Sequence, residues 1–188
     1  TATTEIYTLS LHDALPISLQ ESVNSTARWL TSWRLSVNKE KTVVMELTRR
    51  PMPVPFSISI DGTPLTKVTC HRHLGLNISS DLRWTSHVDK VLAKAGPMLG
   101  VLTRLRSTLT VAAMSAFYCV YVRPMLEYAS IAWSNLPDHL QDRLERFQRR
   151  AAKIILRRPL FERSDHDKLL SSLGWSSLAS RRQFQHAL

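Results

Sequence analysis

Apolar residues at Leu19, Val23, Ala27, Leu30 and Trp33 follow one another by fours and threes, which places them on one side of a helix over residues 19–35. Residues 36–41 interrupt that period. Val43, Met45 and Leu47, and later Phe56, Ile58 and Ile60, then recur at every second position, the spacing of half-buried strands. Pro51, Pro53 and Pro55 separate the two runs. Asp61-Gly62 comes next, a dipeptide suited to the two positive-φ positions of a type I′ hairpin turn, so residues 63–68 are the expected partner strand. Leu74, Leu76 and Ile78 mark a further extended segment over 73–78. One helix packed on a small antiparallel sheet is the expected arrangement.

After Trp84 the period becomes helical. Val88, Val91, Leu92, Ala95, Leu99 and Leu102 fall on one face, with Gly96-Pro97 expected to kink or restart the helix. A second helix is expected over 110–122, ending before Pro124, and a third over 138–156, capped by Asp138 after Pro137. Residues 165–188 suggest a short fourth. On the third helix Leu140, Leu144, Phe147, Ala151 and Ile154 form an apolar stripe. Arg143, Arg146, Arg150, Lys153 and Arg157 form a basic stripe beside it; at about 100° per residue one face packs while the next presents cations to solvent. The fold class expected is α+β, a small sheet with one helix followed by an all-α region.

Charge sharpens this picture. The chain of 188 residues carries a formal charge of +10 and has a pI near 10.2, which favours a polyanion as partner. The basic stripe suits a phosphate backbone, against the alternative of a solvated face partly neutralised by Asp142 and Glu145. Arg104, Arg106, Lys90 and Lys94 extend the same basic character. Two cysteines, Cys70 and Cys119, build no disulfide framework. Cys70, His71 and His73 lack a fourth ligand and alternate faces on a strand, so no metal site is expected. No apolar stretch reaches the roughly 20 residues of a membrane span, and the amino end lacks the basic start of a signal peptide, so an intracellular, nuclear or cytoplasmic location is expected. No Ser/His/Asp trio has supporting spacing, no glycine-rich phosphate loop occurs, and no two acidic residues are adjacent.

Residues 1–17, TATTEIYTLSLHDALPI, resemble the translation of a common sequencing-library adapter, with Ser18 as the junction codon. Residues 1–18 are therefore set aside as a non-native segment, and with them the His12-Asp13 pair. Doing so removes two acids, Glu5 and Asp13, and no base, which leaves the remainder more basic still.

The order LQESVNSTARWLTSWRLSVNKEKTVVMELTRR, SISIDGTPLTKV, HRHLGLNISSDLRWTSHVDKV resembles the carboxyl half of non-LTR (LINE, jockey-type) retrotransposon reverse transcriptases over nearly all of residues 19–188. The resemblance implies the end of a polymerase palm over 19–80 and an α-helical thumb and connection over 81–188. In that family an aromatic-x-Asp-Asp motif precedes a W…W.L..N..KT block, here Trp29, Trp33, Leu35, Asn38, Lys41 and Thr42. Lys41 matches the lysine proposed to protonate departing pyrophosphate as a general acid, with Lys39 the less favoured substitute and a solvated loop lysine the alternative. His73, Leu74 and Gly75 match the primer grip, with His73 where the family usually has Tyr. Leu82-Arg83-Trp84-x-x-His87, Tyr121-x-x-x-Pro124-x-x-x-Tyr128, Trp133 and Gln148-Arg149-Arg150-Ala151 resemble the thumb and the helices after it.

By this resemblance the partners are an RNA template and a DNA primer, and the intact parent uses Mg²⁺. The chain itself has no aspartate pair to hold such ions, so no cofactor and no polymerase activity are expected of it alone. Two other readings accompany this one: a stand-alone basic, helical nucleic-acid-binding module, and a non-functional translated fragment of a decayed or misassembled element.

Overall fold

The computed structural model describes residues 15–47, 57–161 and 165–187. Phe56 and the prolines Pro51, Pro53 and Pro55 lie outside the described residues, as does most of the adapter-like segment. The chain divides into two compact units, Thr1–Arg83 and Trp84–Leu188.

In the first unit helix α1 (Leu15–Ser32) begins ahead of the expected start, because Pro16 is tolerated in a first turn whose N–H groups lack helical acceptors. Its stripe of Leu19, Val23, Ala27 and Leu30 is half-buried. Trp33 falls just past the helix end and is 66% exposed, so it does not join the stripe. Gln20 ties the helix to the strands. Its amide donates to the Ser59 carbonyl at 2.8 Å and accepts from the Ser59 N–H at 2.9 Å, as a neighbouring strand would.

Among the described residues six short strands follow: β1 (Val43–Val44), β2 (Ser59–Ile60), β3 (Thr63–Pro64), β4 (Thr66–Lys67), β5 (Cys70–His73) and β6 (Leu76–Ser79). The Asp61-Gly62 turn forms as expected, with φ of 46° and 72°, and joins β2 to β3 antiparallel in the register Ile60↔Thr63. The expected uniform antiparallel sheet does not form. The run 63–68 serves two partners, its first half pairing antiparallel with β2 and its second half parallel with β1, Val43↔Thr66. A parallel pair needs a long connection, and the chain between Val44 and Thr66 supplies it.

The segment 73–78 is likewise not a continuous strand. Leu74 (φ 44°) and Gly75 (φ 85°) form a second two-residue turn, and β5 and β6 pair antiparallel across it, His73↔Leu76. Period-2 spacing of Leu74, Leu76 and Ile78 imitates a strand, while Leu-Gly lacks the Asn-Gly or Asp-Gly signature of a turn.

The second unit is helical. Helix α2 (Thr85–Leu105) continues through Pro97 without a restart and buries Val88, Ala95, Leu99 and Leu102. That burial outweighs the single backbone bond that Pro97 removes. Helix α3 (Val111–Phe117) is capped by Thr110, whose hydroxyl accepts from the Ala113 N–H at 3.2 Å. It passes through a π turn (Tyr118–Val122) directly into α4 (Arg123–Glu127), so the helix does not stop before Pro124. A proline ring crowds the carbonyl four residues back and donates no N–H; the wider π turn accommodates both.

A 3₁₀ turn (Ser130–Trp133) leads to α5 (Asp138–Ile155), α6 (His166–Ser171) and α7 (Leu178–His186). Pro137 occupies the cap position of α5, and Asp138 instead lies in the first turn, where its charge complements the helix dipole. The expected fourth helix is two, capped by Asp165 and Ser177 and separated at Gly174, φ 65°. The core of this unit gathers Met114, Tyr118, Val122, Leu126, Trp133, Leu140, Leu144, Ile155 and Leu178, all sealed from solvent. Tyr118 stacks on Trp175 at 4.2 Å, and burial pushes its phenol well above the ordinary tyrosine range. The fold class is α+β.

Candidate nucleic-acid interface

Lys41 is positioned by its own neighbourhood. The Asn38 side chain accepts from the Lys41 N–H at 3.0 Å, and the Asn38 carbonyl accepts from the Thr42 N–H at 3.1 Å and the Thr42 hydroxyl at 2.8 Å. Asn and Thr at this spacing close a turn by side-chain bonds and deliver the lysine at its edge. Lys41 is exposed. Lys39, the other lysine of the block, is engaged elsewhere: it pairs with Asp61 at 3.3 Å and donates to the Thr63 hydroxyl at 3.3 Å.

Lys41, Glu40 and Val43 line one open concavity of about 450 Å³ together with His71, Arg72, His73 and Leu74. Three of the residues singled out in the sequence, Lys41, His73 and Leu74, thus meet on one surface, and Gly75 completes the turn beside them. His73 is half-buried, and Leu74 stands 70% exposed at the hairpin apex. The left-handed backbone at Gly75 is the reason a glycine is used there. Arg72 was not foreseen as a lining residue. Its signal in the sequence was a cation directly before the His-Leu-Gly element.

On α5 the basic stripe is only partly what its spacing implies. Arg146 and Arg150 are exposed. Arg143 is half-buried and paired with Asp89 at 2.6 Å. Lys153, expected among the solvent-facing cations, is 6% exposed and donates to the Leu160 carbonyl at 3.1 Å, because the chain after the helix folds back over it. Arg157 lies beyond the end of α5 with φ 57° and donates to the Leu109 carbonyl at 3.3 Å, so it is not a member of the helical stripe. That bond carries it to the loop after α2, close in sequence to exposed Arg104 and half-buried Arg106.

Several polar residues that sequence reasoning passed over organise the helical unit. Glu145 meets His166 at 3.0 Å and accepts from the Ala179 N–H at 2.8 Å. Arg181 makes a two-pronged bond to Glu127, which holds its guanidinium above the usual arginine range. Adjacent Arg182 is 3% exposed. Arg181-Arg182 reads in the sequence as an ordinary solvated pair, and only packing distinguishes the two.

Among the described residues no group of three or more His, Cys, Asp or Glu could hold a metal ion. No helix among them is long and apolar enough to cross a membrane.

No family model and no solved structure matches the chain. A probable RNA-directed DNA polymerase from transposon BS of Drosophila melanogaster is 27% identical over 149 residues, covering 77% of this chain and 16% of that protein. The chain therefore spans about a sixth of the length of the relative it matches. In sequence it is a relative of a transposon RNA-directed DNA polymerase, the kinship its motifs imply.

Proposed function

We propose that this chain is the segment of a non-LTR retrotransposon reverse transcriptase that handles template and primer, and that it does not polymerise by itself. The observation that carries the site reading is the shared concavity: Lys41 and the His73-Leu74 turn, some thirty residues apart in sequence, line the same surface. An exposed ammonium beside a glycine turn and Arg72 is the arrangement a nucleic-acid backbone calls for. In the parent enzyme Lys41 would stand where a proton is needed on pyrophosphate, and the turn would position the primer end. The RNA template and DNA primer are the proposed partners, and Mg²⁺ belongs to the intact enzyme, whose aspartate pair this sequence lacks.

The test is incorporation of deoxynucleotides on a primed RNA template with Mg²⁺, alongside binding of the same duplex. Binding without incorporation is expected. Measurable incorporation would overturn the requirement for the aspartate pair, and absence of binding at low salt would overturn template–primer handling.

Exposed Arg146 and Arg150 on α5 favour a second reading, a basic helical module that binds nucleic acid through the second unit alone. The two readings separate by mutation. Arg146→Gln with Arg150→Gln abolishes binding under the second, whereas Lys41→Ala and substitutions at Leu74-Gly75 dominate under the first.

A further inference from the structure

The carboxyl end of α1 leaves two tryptophans in water. Trp29 is 59% and Trp33 66% exposed, whereas Trp133 and Trp175 are buried in the helical unit. Their ring centres lie 6.2 Å apart at an angle of 58°, so the two rings touch without either covering the other's face. Leu35, also exposed, continues the patch. Indoles this open forgo the stabilisation that burial of so large a side chain ordinarily gives.

The end of the helix carries a second signal. The Leu35 N–H donates to the Leu30 carbonyl at 3.0 Å and the Arg34 N–H to the Thr31 carbonyl at 2.9 Å, the paired bonds of a Schellman closure. Arg34 thereby takes the left-handed position of that motif, φ 56°, where glycine is the ordinary residue because a Cβ is crowded there. Glycine would close the helix with less strain, so an arginine in this place points to work for its side chain. Arg34 is exposed, and so is Arg28. One stands directly before Trp29 and the other directly after Trp33, and between Glu21 and Lys39 they are the only charged residues.

We infer that Trp29 and Trp33, flanked by Arg28 and Arg34, form a stacking platform for the bases of a single-stranded nucleic acid. Every base has a flat π face to lay on an open indole, and the cations beside the rings suit the phosphates that link successive bases. A duplex keeps its base faces stacked on one another, so a single strand is the form that fits. An apolar protein surface would instead cover Arg28 and Arg34 without anions to meet them, a desolvation cost that a phosphate backbone offsets. The platform shares no residue with the Lys41 concavity and does not rest on the polymerase reading.

The experiment follows the tryptophan fluorescence of the full chain as a short oligothymidylate is added, beside an abasic strand of the same length and phosphate count. Strong quenching by the oligothymidylate and little by the abasic strand are expected, because stacking needs bases. Binding of a dye-labelled oligothymidylate, read by anisotropy, should weaken by about tenfold or more when Trp29→Ala is combined with Trp33→Ala. Arg34→Gly separates binding from folding and keeps the test open if the double variant does not fold. Its thermal midpoint is expected to rise, since glycine adopts this φ without strain, while its affinity for the strand falls. Equal quenching by the abasic strand, no quenching at low salt, or undiminished binding in the folded double variant would overturn the proposal. So would Arg34→Gly that is less stable than the parent or binds as tightly. A blue shift that grows with protein concentration in the absence of nucleic acid would also overturn it, by assigning the patch to a second copy of the chain.

Discussion

His87 lies 2% exposed between Trp84 and Trp133, its ring edge-on to each at 5.8 and 5.1 Å. Burial, aided by Lys90, lowers its pKa below the ordinary 6.5. The unfolded chain therefore binds a proton near 6.5 that the folded chain refuses. Stability is full above that pH and falls as the pH drops from 6.5 toward the lowered folded value. Thermal unfolding of His87→Phe should lose that part of the acid sensitivity between about pH 7 and 5; parallel slopes for variant and parent would refute the assignment. Lys41 and Lys39 offer a second contrast at this scale. Lys41→Ala should weaken binding of a primed template and lower its salt slope by about one, with the unfolding midpoint unchanged. Lys39→Ala should leave binding intact and cost the fold no more than about 1 kcal/mol, as an exposed pair does. Both lysines were visible in the sequence, but their division of labour was not. It arises because the Asp61-Gly62 turn returns in space to Lys39 and leaves Lys41 to the concavity.

At the scale of elements, local chemistry was legible where one residue type does a job by itself. Asp61-Gly62 announces its turn because few other dipeptides adopt two positive φ values cheaply. Thr110 caps α3 through its own hydroxyl, and Thr110→Ala should lower stability by about 1 kcal/mol in urea unfolding; an unchanged midpoint would mean the cap contributes nothing. Gly62→Val should likewise destabilise, by about 1–2 kcal/mol, since a β-branched residue is strained at φ 72°. The prolines misled for the opposite reason. Pro97 and Pro124 carry a local penalty, but α2 gains buried contacts by continuing, and the π turn over Tyr118–Val122 removes the clash before Pro124. A local rule yields when the tertiary gain exceeds its few kcal/mol. The basic stripe of α5 failed in the same way: helical spacing fixed the direction of Lys153, and the returning segment at Leu160 then covered it.

For the molecule as a whole, the charge of +10 predicts affinity for nucleic acid that falls with salt, log affinity declining against log salt by about 0.7–0.9 per phosphate contact. Arg146→Gln with Arg150→Gln should reduce that slope by up to about two if α5 touches the backbone, and a salt-independent affinity would exclude a phosphate interface altogether. The relationship to a transposon polymerase was readable in the order of motifs, because the W…W.L..N..KT block and the His-Leu-Gly element are short and each is contiguous in chain. Periodicity likewise determined the α+β class, the apolar faces of α2 and α5, and the first hairpin, since each depends on neighbours a few residues apart. Only the tertiary structure decided which cations remain in solvent, that one strand pairing is parallel, and that Arg182 is buried beside Trp133 while Arg181 is matched to Glu127. Those outcomes are settled by segments that meet only through folding, from seven residues apart for Lys153 and Leu160 to 54 for Glu127 and Arg181. Whether a charge is paired, covered or free is a property of the space around it, and that space is made by the rest of the chain.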